Sequence, residues 1–243
     1  NMYNTAVGSS AGTAVTTGTN NTLIGGLAGD AITTGGDNVA VGYTAFGANT
    51  TGASNVALGA FALDANTTAS NNTAVGTSSL GANTTGSENT AIGRVALLAN
   101  TTGANNVALG YRGLTANTTG SNNVAIGKDA LDSNTTASNN VAVGADALQA
   151  NVLGAESVAI GTFALNAQNP SSATNMYNVA VGHNSGASVT TGIRNTLIGS
   201  RTGDALTDAD YNVALGYNAL AADTLGSTST AIGYAALETQ NFT

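Results

Sequence analysis

The stretch Asn123-Val124-Ala125-Ile126-Gly127 decides the fold, because close variants of it recur along the whole chain. Its closing glycine has counterparts at Gly8, Gly25, Gly42, Gly59, Gly76, Gly93, Gly110, Gly144, Gly161, Gly182, Gly199, Gly216 and Gly233. Successive glycines lie 17 residues apart, except Gly161 and Gly182, which are 21 apart. Seventeen residues is too short for a helical-hairpin repeat, which needs about 33 or more. It suits one coil of a parallel β-solenoid. The expectation is an all-β fold of fourteen coils, with residues 1–243 forming one continuous repeat domain.

Positions are counted from each of these glycines. Position −1 is always Val, Ile or Leu, and position −3 is Val or Thr. Two apart, they share one face of a strand, and β-branched side chains favour extended backbone. The glycine ends the strand at a corner. Most repeats continue with Ala-Leu, as at Ala62-Leu63, then Asn-Thr-Thr-Gly, as at Asn83 to Gly86, which predicts a second short strand and a turn. In four copies the Leu at +4 gives way to Gly12, Gly29, Gly186 and Gly203. Position +7 in those copies becomes Val15, Ile32, Val189 and Leu206, where seven other copies have Asn. One core volume is refilled from a different site.

Position −2 lies opposite the Val/Ile side. It is Ala in twelve copies, with Leu23 and Leu197 in the others. With Val and Ile taken as the interior, this Ala column faces outward. A strand apolar on both faces is buried on both, so the column is expected to pack against other copies of the chain. The interface candidates are Ala40, Ala57, Ala74, Ala91, Ala108, Ala125, Ala142 and Ala159. A homotrimer is the simplest such assembly.

Composition excludes other classes. Charged residues are 7%, against about 25% in ordinary domains. Five Lys+Arg against thirteen Asp+Glu give a net charge of −8, which disfavours nucleic acid. There are no cysteines for a disulfide framework. No apolar run approaches the length of a membrane-spanning helix. Residues 1–43 realign with 175–217, an offset of 174, which is expected of a segment from a longer repetitive protein with no visible signal peptide or anchor.

Asn-Val-Ala-Ile-Gly-x-x-Ala-Leu with Asn-Thr-Thr-Gly between copies resembles the head repeats of YadA-type trimeric autotransporter adhesins. It is more similar still to the 17-residue repeats of phage tail fibres and tail-fibre-like bacterial surface proteins. The resemblance covers all fourteen copies. It implies a left-handed parallel β-roll, a trimeric fibre and an extracellular, cell-surface or virion setting. The longer coil and the lack of a coiled-coil stalk or membrane anchor favour the tail-fibre type. The expected function is a fibre shaft or adhesive head segment giving reach and multivalent attachment. A host-surface glycan or protein is the expected partner.

Chemistry-bearing residues are sparse, so neither an enzyme nor a cofactor or metal site is expected. Asp204, Asp208 and Asp210, and Asp129 and Asp132, read as solvated corners. His183 is the sole histidine. The tyrosines fall in two phases: Tyr43, Tyr111, Tyr217 and Tyr234 at +1, and Tyr3, Tyr177 and Tyr211 at −5. Aromatics on a wet face can stack on sugars, and the +1 set are the surface-contact candidates. The insertion lies within 168–174 and adds Asn169 and Pro170, since insertions in solenoids form loops. The Asn columns are expected to form side-chain ladders. Two rival functions are an ice-binding solenoid using Thr columns and a glycan-degrading β-helix. Adjacent Thr residues point to opposite faces, so each coil offers one outward Thr for ice.

Overall fold

The computed structural model describes residues 2–240. The chain is a parallel β-solenoid with a 17-residue coil and no helix among the described residues. It divides into two compact units, 1–121 and 122–243. The first contains β1 (Thr5–Val7), β2 (Thr22–Ile24), β3 (Val39–Val41), β4 (Val56–Leu58), β5 (Thr73–Val75), β6 (Thr90–Ile92) and β7 (Val107–Leu109). Each pairs with the next in parallel and in register: Val56, Ala57 and Leu58 lie beside Thr73, Ala74 and Val75. Every sequence column therefore stacks on itself.

The second unit contains β8 (Val124–Ile126), β9 (Val141–Val143), β10 (Gly154–Ala155), β11 (Val158–Ile160), β12 (Thr174–Asn175), β13 (Val179–Val181), β14 (Thr196–Ile198), β15 (Val213–Leu215) and β16 (Thr230–Ile232). Its main sheet follows the same register, with Val158 beside Val141 on one side and Val179 on the other. The insertion before β12 adds a small parallel pair, Gly154–Ala155 with Thr174–Asn175.

Inside and outside are the reverse of the expectation. Ala40, Ala57, Ala74, Ala91, Ala108, Ala125, Ala142 and Ala159 are all 0% exposed within their own chain. The Val, Ile and Leu side chains at −1 and −3 face outward, half-buried to exposed. The reason is the small cross-section of the coil. The strand faces Leu at +4, Ala at +3 and Asn at −4 and +7, all buried in the regular coils. That filling leaves room for a methyl group only.

The corners are built from left-handed backbone. The closing glycines have φ near 135°; at Gly59 (φ 138°) an added Cβ would also lie 2.6 Å from the Gly76 carbonyl oxygen of the next coil. Position +4 is left-handed as well, and most coils place a buried Leu there: Leu63 at φ 51°, Leu114 at 52°. A bulky residue at positive φ carries about 1–3 kcal/mol of strain. Burying a leucine contributes about 1.5–3 kcal/mol, which offsets it.

The Asn-Thr-Thr-Gly segment is a bend and not the second strand expected. In Asn83 to Gly86 the backbone N–H groups of Thr84 and Thr85 converge on the Thr101 carbonyl at 2.9 and 3.2 Å, joined by the Thr84 hydroxyl at 3.0 Å. One carbonyl takes both Thr N–H groups, and at Gly52 the glycine N–H donates to the Asn49 side chain (3.1 Å), so no strand ladder forms there.

The buried Asn side chains at −4 and +7 pair along the stack, as exclusion of water demands. At +7, Asn66 Nδ2 donates to Asn49 Oδ1 (3.0 Å), Asn83 to Asn66 (2.9 Å) and Asn100 to Asn83 (2.9 Å). At −4, the Asn38 backbone N–H donates to Asn21 Oδ1 (3.1 Å), and Asn38 Nδ2 reaches the Gly52 carbonyl (3.0 Å). The expected ladders are therefore present, and both run through the interior. Where Ser157 interrupts the −4 ladder, Gln168 at +7 bridges the gap. It accepts from Asn178 Nδ2 (2.9 Å) and donates to Ser157 Oγ (3.1 Å).

Candidate functional site

The outer face of the strands carries exposed apolar side chains in both units. In the first unit Val7, Ile24, Leu58, Ile92 and Leu109 are exposed in one column, with Leu58 at 44%. In the second unit Ile160, Ile198, Leu215 and Ile232 repeat it. Position −3 runs parallel to it, with Val39 and Val213 exposed. Large contiguous apolar surface on a soluble chain marks an interaction site. The alternation along the strand contains this signal, but size alone points the larger side chains inward.

The Ala candidates offer no atom to a partner. The four tyrosines at +1 are all exposed. Tyr43 packs edge-on against Phe61 (centroids 5.5 Å), Tyr111 lies beneath Arg94 (5.7 Å), and Tyr217 stacks on Tyr234 (5.7 Å). They pair locally with neighbouring coils and form no single patch within either unit. His183 is exposed and meets Phe163 edge-on at 6.4 Å.

The insertion is only half a surface loop. Asn169 is exposed, but Pro170 is buried, a correction to its place among the contact candidates. The Asn169 backbone N–H donates to the Thr190 carbonyl (2.9 Å), and Met176 is wholly buried against Gly154. The loop is anchored in the stack on both sides of β12, by Asn169 and Pro170 before it and Met176 after it.

The acidic residues do not converge on a catalytic centre. Arg201 Nε donates to Asp204 (3.2 Å), whose carboxylate favours the charged guanidinium. Asp210 accepts from the Ile193 N–H (2.8 Å), and Asp208 from the Thr207 hydroxyl (3.3 Å). Asp129 is buried beside Lys128 and ion-paired to it; it is not a solvated corner. Burial, then repulsion from Asp30, raises the Asp64 pKa above the ordinary aspartate value. Among the described residues no group of three or more His, Cys, Asp or Glu is placed to hold a metal ion, and no pocket opens at the surface.

In the first unit the second Thr of each pair faces outward, whereas in the second unit the column is broken at Leu153, Pro170, Asp208 and Leu225. In the first unit Thr17, Thr34, Thr51, Thr68, Thr85, Thr102 and Thr119 are exposed, while the preceding Thr hydroxyls bond to backbone carbonyls. The Asn residues of the Asn-Thr-Thr segments, such as Asn49 and Asn83, are wholly buried, which closes these glycosylation-type sequences to modification in the folded chain.

Fold and surface together define a parallel β-solenoid with a filled interior and an exposed apolar strand face. No family model matches the chain, and no curated protein or solved structure matches it significantly.

Proposed function

We propose that the chain is part of a homotrimeric fibre, a left-handed β-roll serving as shaft or adhesive head segment outside the cell or on a virion. The observation that carries this reading is the exposed Val/Ile/Leu face on coils whose interiors are already full. Such a face has nothing left to fold onto within its own coil, and a second copy presents the same stripe at the same coil spacing. Closed cyclic symmetry lets identical faces meet around one axis. The repeat's likeness to trimeric adhesin heads and tail fibres supports three copies and the left hand. The function is reach and multivalent attachment, in which many weak contacts add through avidity. The test is the chain's mass in solution, with and without a charge placed on this face.

A second reading draws on the exposed Thr column of the first unit, whose regular spacing is what an ice-binding surface would use. A thermal-hysteresis assay separates the two. Ice shaping by the chain would support it against the fibre; its absence leaves the fibre reading in place.

A further inference from the structure

Position −5 is left-handed backbone in every coil of the second unit, and two coils put asparagine there, Asn122 (φ 59°) and Asn139 (φ 62°), which tolerates it. Three successive coils instead carry large side chains, Tyr177 (φ 53°), Arg194 (φ 58°) and Tyr211 (φ 60°). Left-handed backbone is a general property of these corners and does not by itself set the three apart. The three stack. The Arg194 guanidinium lies 5.5 Å from the Tyr177 ring centroid and 5.3 Å from that of Tyr211. Both rings remain about half exposed, Tyr177 at 44% and Tyr211 at 50%.

The hydrogen bonds give this row a polarity. Arg194 Nη1 donates to the Tyr211 hydroxyl oxygen (2.6 Å), and Asn175 Nδ2 donates to that of Tyr177 (3.1 Å). Each phenol oxygen is already accepting, so each O–H proton is available to a ligand. Arg194 uses one of its five N–H donors in the bond to Tyr211. The outer edge of the stack is thus a row of three donors, with a positive charge at its centre. Its length is two coil steps of about 4.8 Å each, too long for a single carboxylate to bridge. Asn175 also ties down Glu156 (3.2 Å), and it belongs to β12, the strand that the insertion creates.

We propose that Tyr177, Arg194 and Tyr211 form a binding site for a carboxylate-bearing saccharide. The guanidinium edge takes the carboxylate in the bidentate geometry that arginine favours. The two phenols donate to ring or hydroxyl oxygens on either side, and their ring edges contact the sugar's apolar C–H surface. This site deepens the attachment reading, on which its biological use rests, yet every group in it belongs to one chain.

The test is calorimetric titration of the intact chain with tetragalacturonate and sialyllactose, with maltotetraose as the neutral control. An acidic probe is expected to bind and maltotetraose is not. Arg194→Gln is expected to weaken binding about tenfold or more through loss of a charge-assisted hydrogen bond. Arg194→Lys, which keeps the charge and loses the fork, recovers only part. Tyr177→Phe and Tyr211→Phe, which remove one hydroxyl and keep the rings, each weaken binding by a smaller factor. Failure of both acidic probes, equal binding of maltotetraose, or full affinity in Arg194→Gln would overturn the proposal. Light scattering on the same samples keeps the readings apart: a monomer that binds acidic sugar sinks the trimer alone, and a trimer that binds none sinks this site alone.

Discussion

The coil closed by Gly25 and the coil closed by Gly59 fill the same interior with different residues. The Gly59 coil uses Ala57 on the strand, Leu63 at the corner and Asn66 beyond it, all buried. The Gly25 coil uses Leu23, Gly29 and Ile32 at the same three positions. The corner backbone is unchanged, with φ 51° at Leu63 and 57° at Gly29. What moves is volume. A Cβ on Gly29 would lie 2.7 Å from Leu23 Cδ2 and 2.8 Å from Ile32 Cδ1. A Cβ on Gly12, one coil earlier, would meet Leu23 Cδ1 at 2.7 Å. Leu23 therefore occupies the space vacated by two glycines in adjacent coils. Leu197 does the same between Gly186 (2.8 Å) and Gly203 (2.9 Å). This is why four glycine corners accompany two strand leucines. The interior conserves its volume across neighbouring coils, and the backbone path does not depend on which side chain supplies it.

The largest expected effect comes from emptying a regular coil. Leu97→Ala, at a wholly buried corner, should cost about 2–5 kcal/mol in denaturant unfolding. Overfilling comes next: Ala91→Leu alone should cost about 1–3 kcal/mol. Adding Leu80→Gly and Leu97→Gly converts the site toward the Leu23 arrangement and should return part of that loss. A triple variant no better than the summed single changes would break the volume account. The third effect concerns the Asn66–Asn83–Asn100 ladder, which the Gly25 coil lacks. Asn83→Ala removes the partner of the Asn66 oxygen and of one Asn100 amide N–H, whose other N–H keeps the Gly103 carbonyl, and should cost about 1–3 kcal/mol.

The smallest effect links the two coils by charge. Asp64 in one is repelled by Asp30 in the other, and burial is the larger cause of its raised pKa. A carboxyl with a raised folded pKa keeps its proton to higher pH in the folded state. Stability is therefore lost as pH rises from the unfolded value through the folded one. Asp64→Asn should raise the melting temperature slightly at pH 7 and have no effect near pH 3.

The period, the register and the strand positions were all legible at −3, −1 and the closing glycine. These columns are nearly invariant, and a 17-residue repeat admits few structures. The exchange of Leu63-type for Ile32-type filling was legible too. The facing was not. Side-chain size favours Val and Ile inside, whereas the narrow coil admits only Ala on the strand. That reversal also hid the role of Leu23 and Leu197, which look like exceptions on an outer column and are core residues shared between coils. Pro170 looked like a loop tip and Asp129 a wet corner, but local packing buries both. The tyrosine phases were visible from spacing. Arg194 was hidden among them because its residue type differs, although it occupies the same column as Tyr177 and Tyr211.

The central claim is that the exposed Val/Ile/Leu face joins copies of the chain. Light scattering of the purified chain tests it directly. Three chains of 23.5 kDa should give a particle of about 70 kDa. Leu58→Glu with Leu109→Glu, two exposed positions in the first unit, should reduce it to the single-chain mass without changing the circular dichroism. A particle of 23.5 kDa for the unaltered chain would contradict the claim.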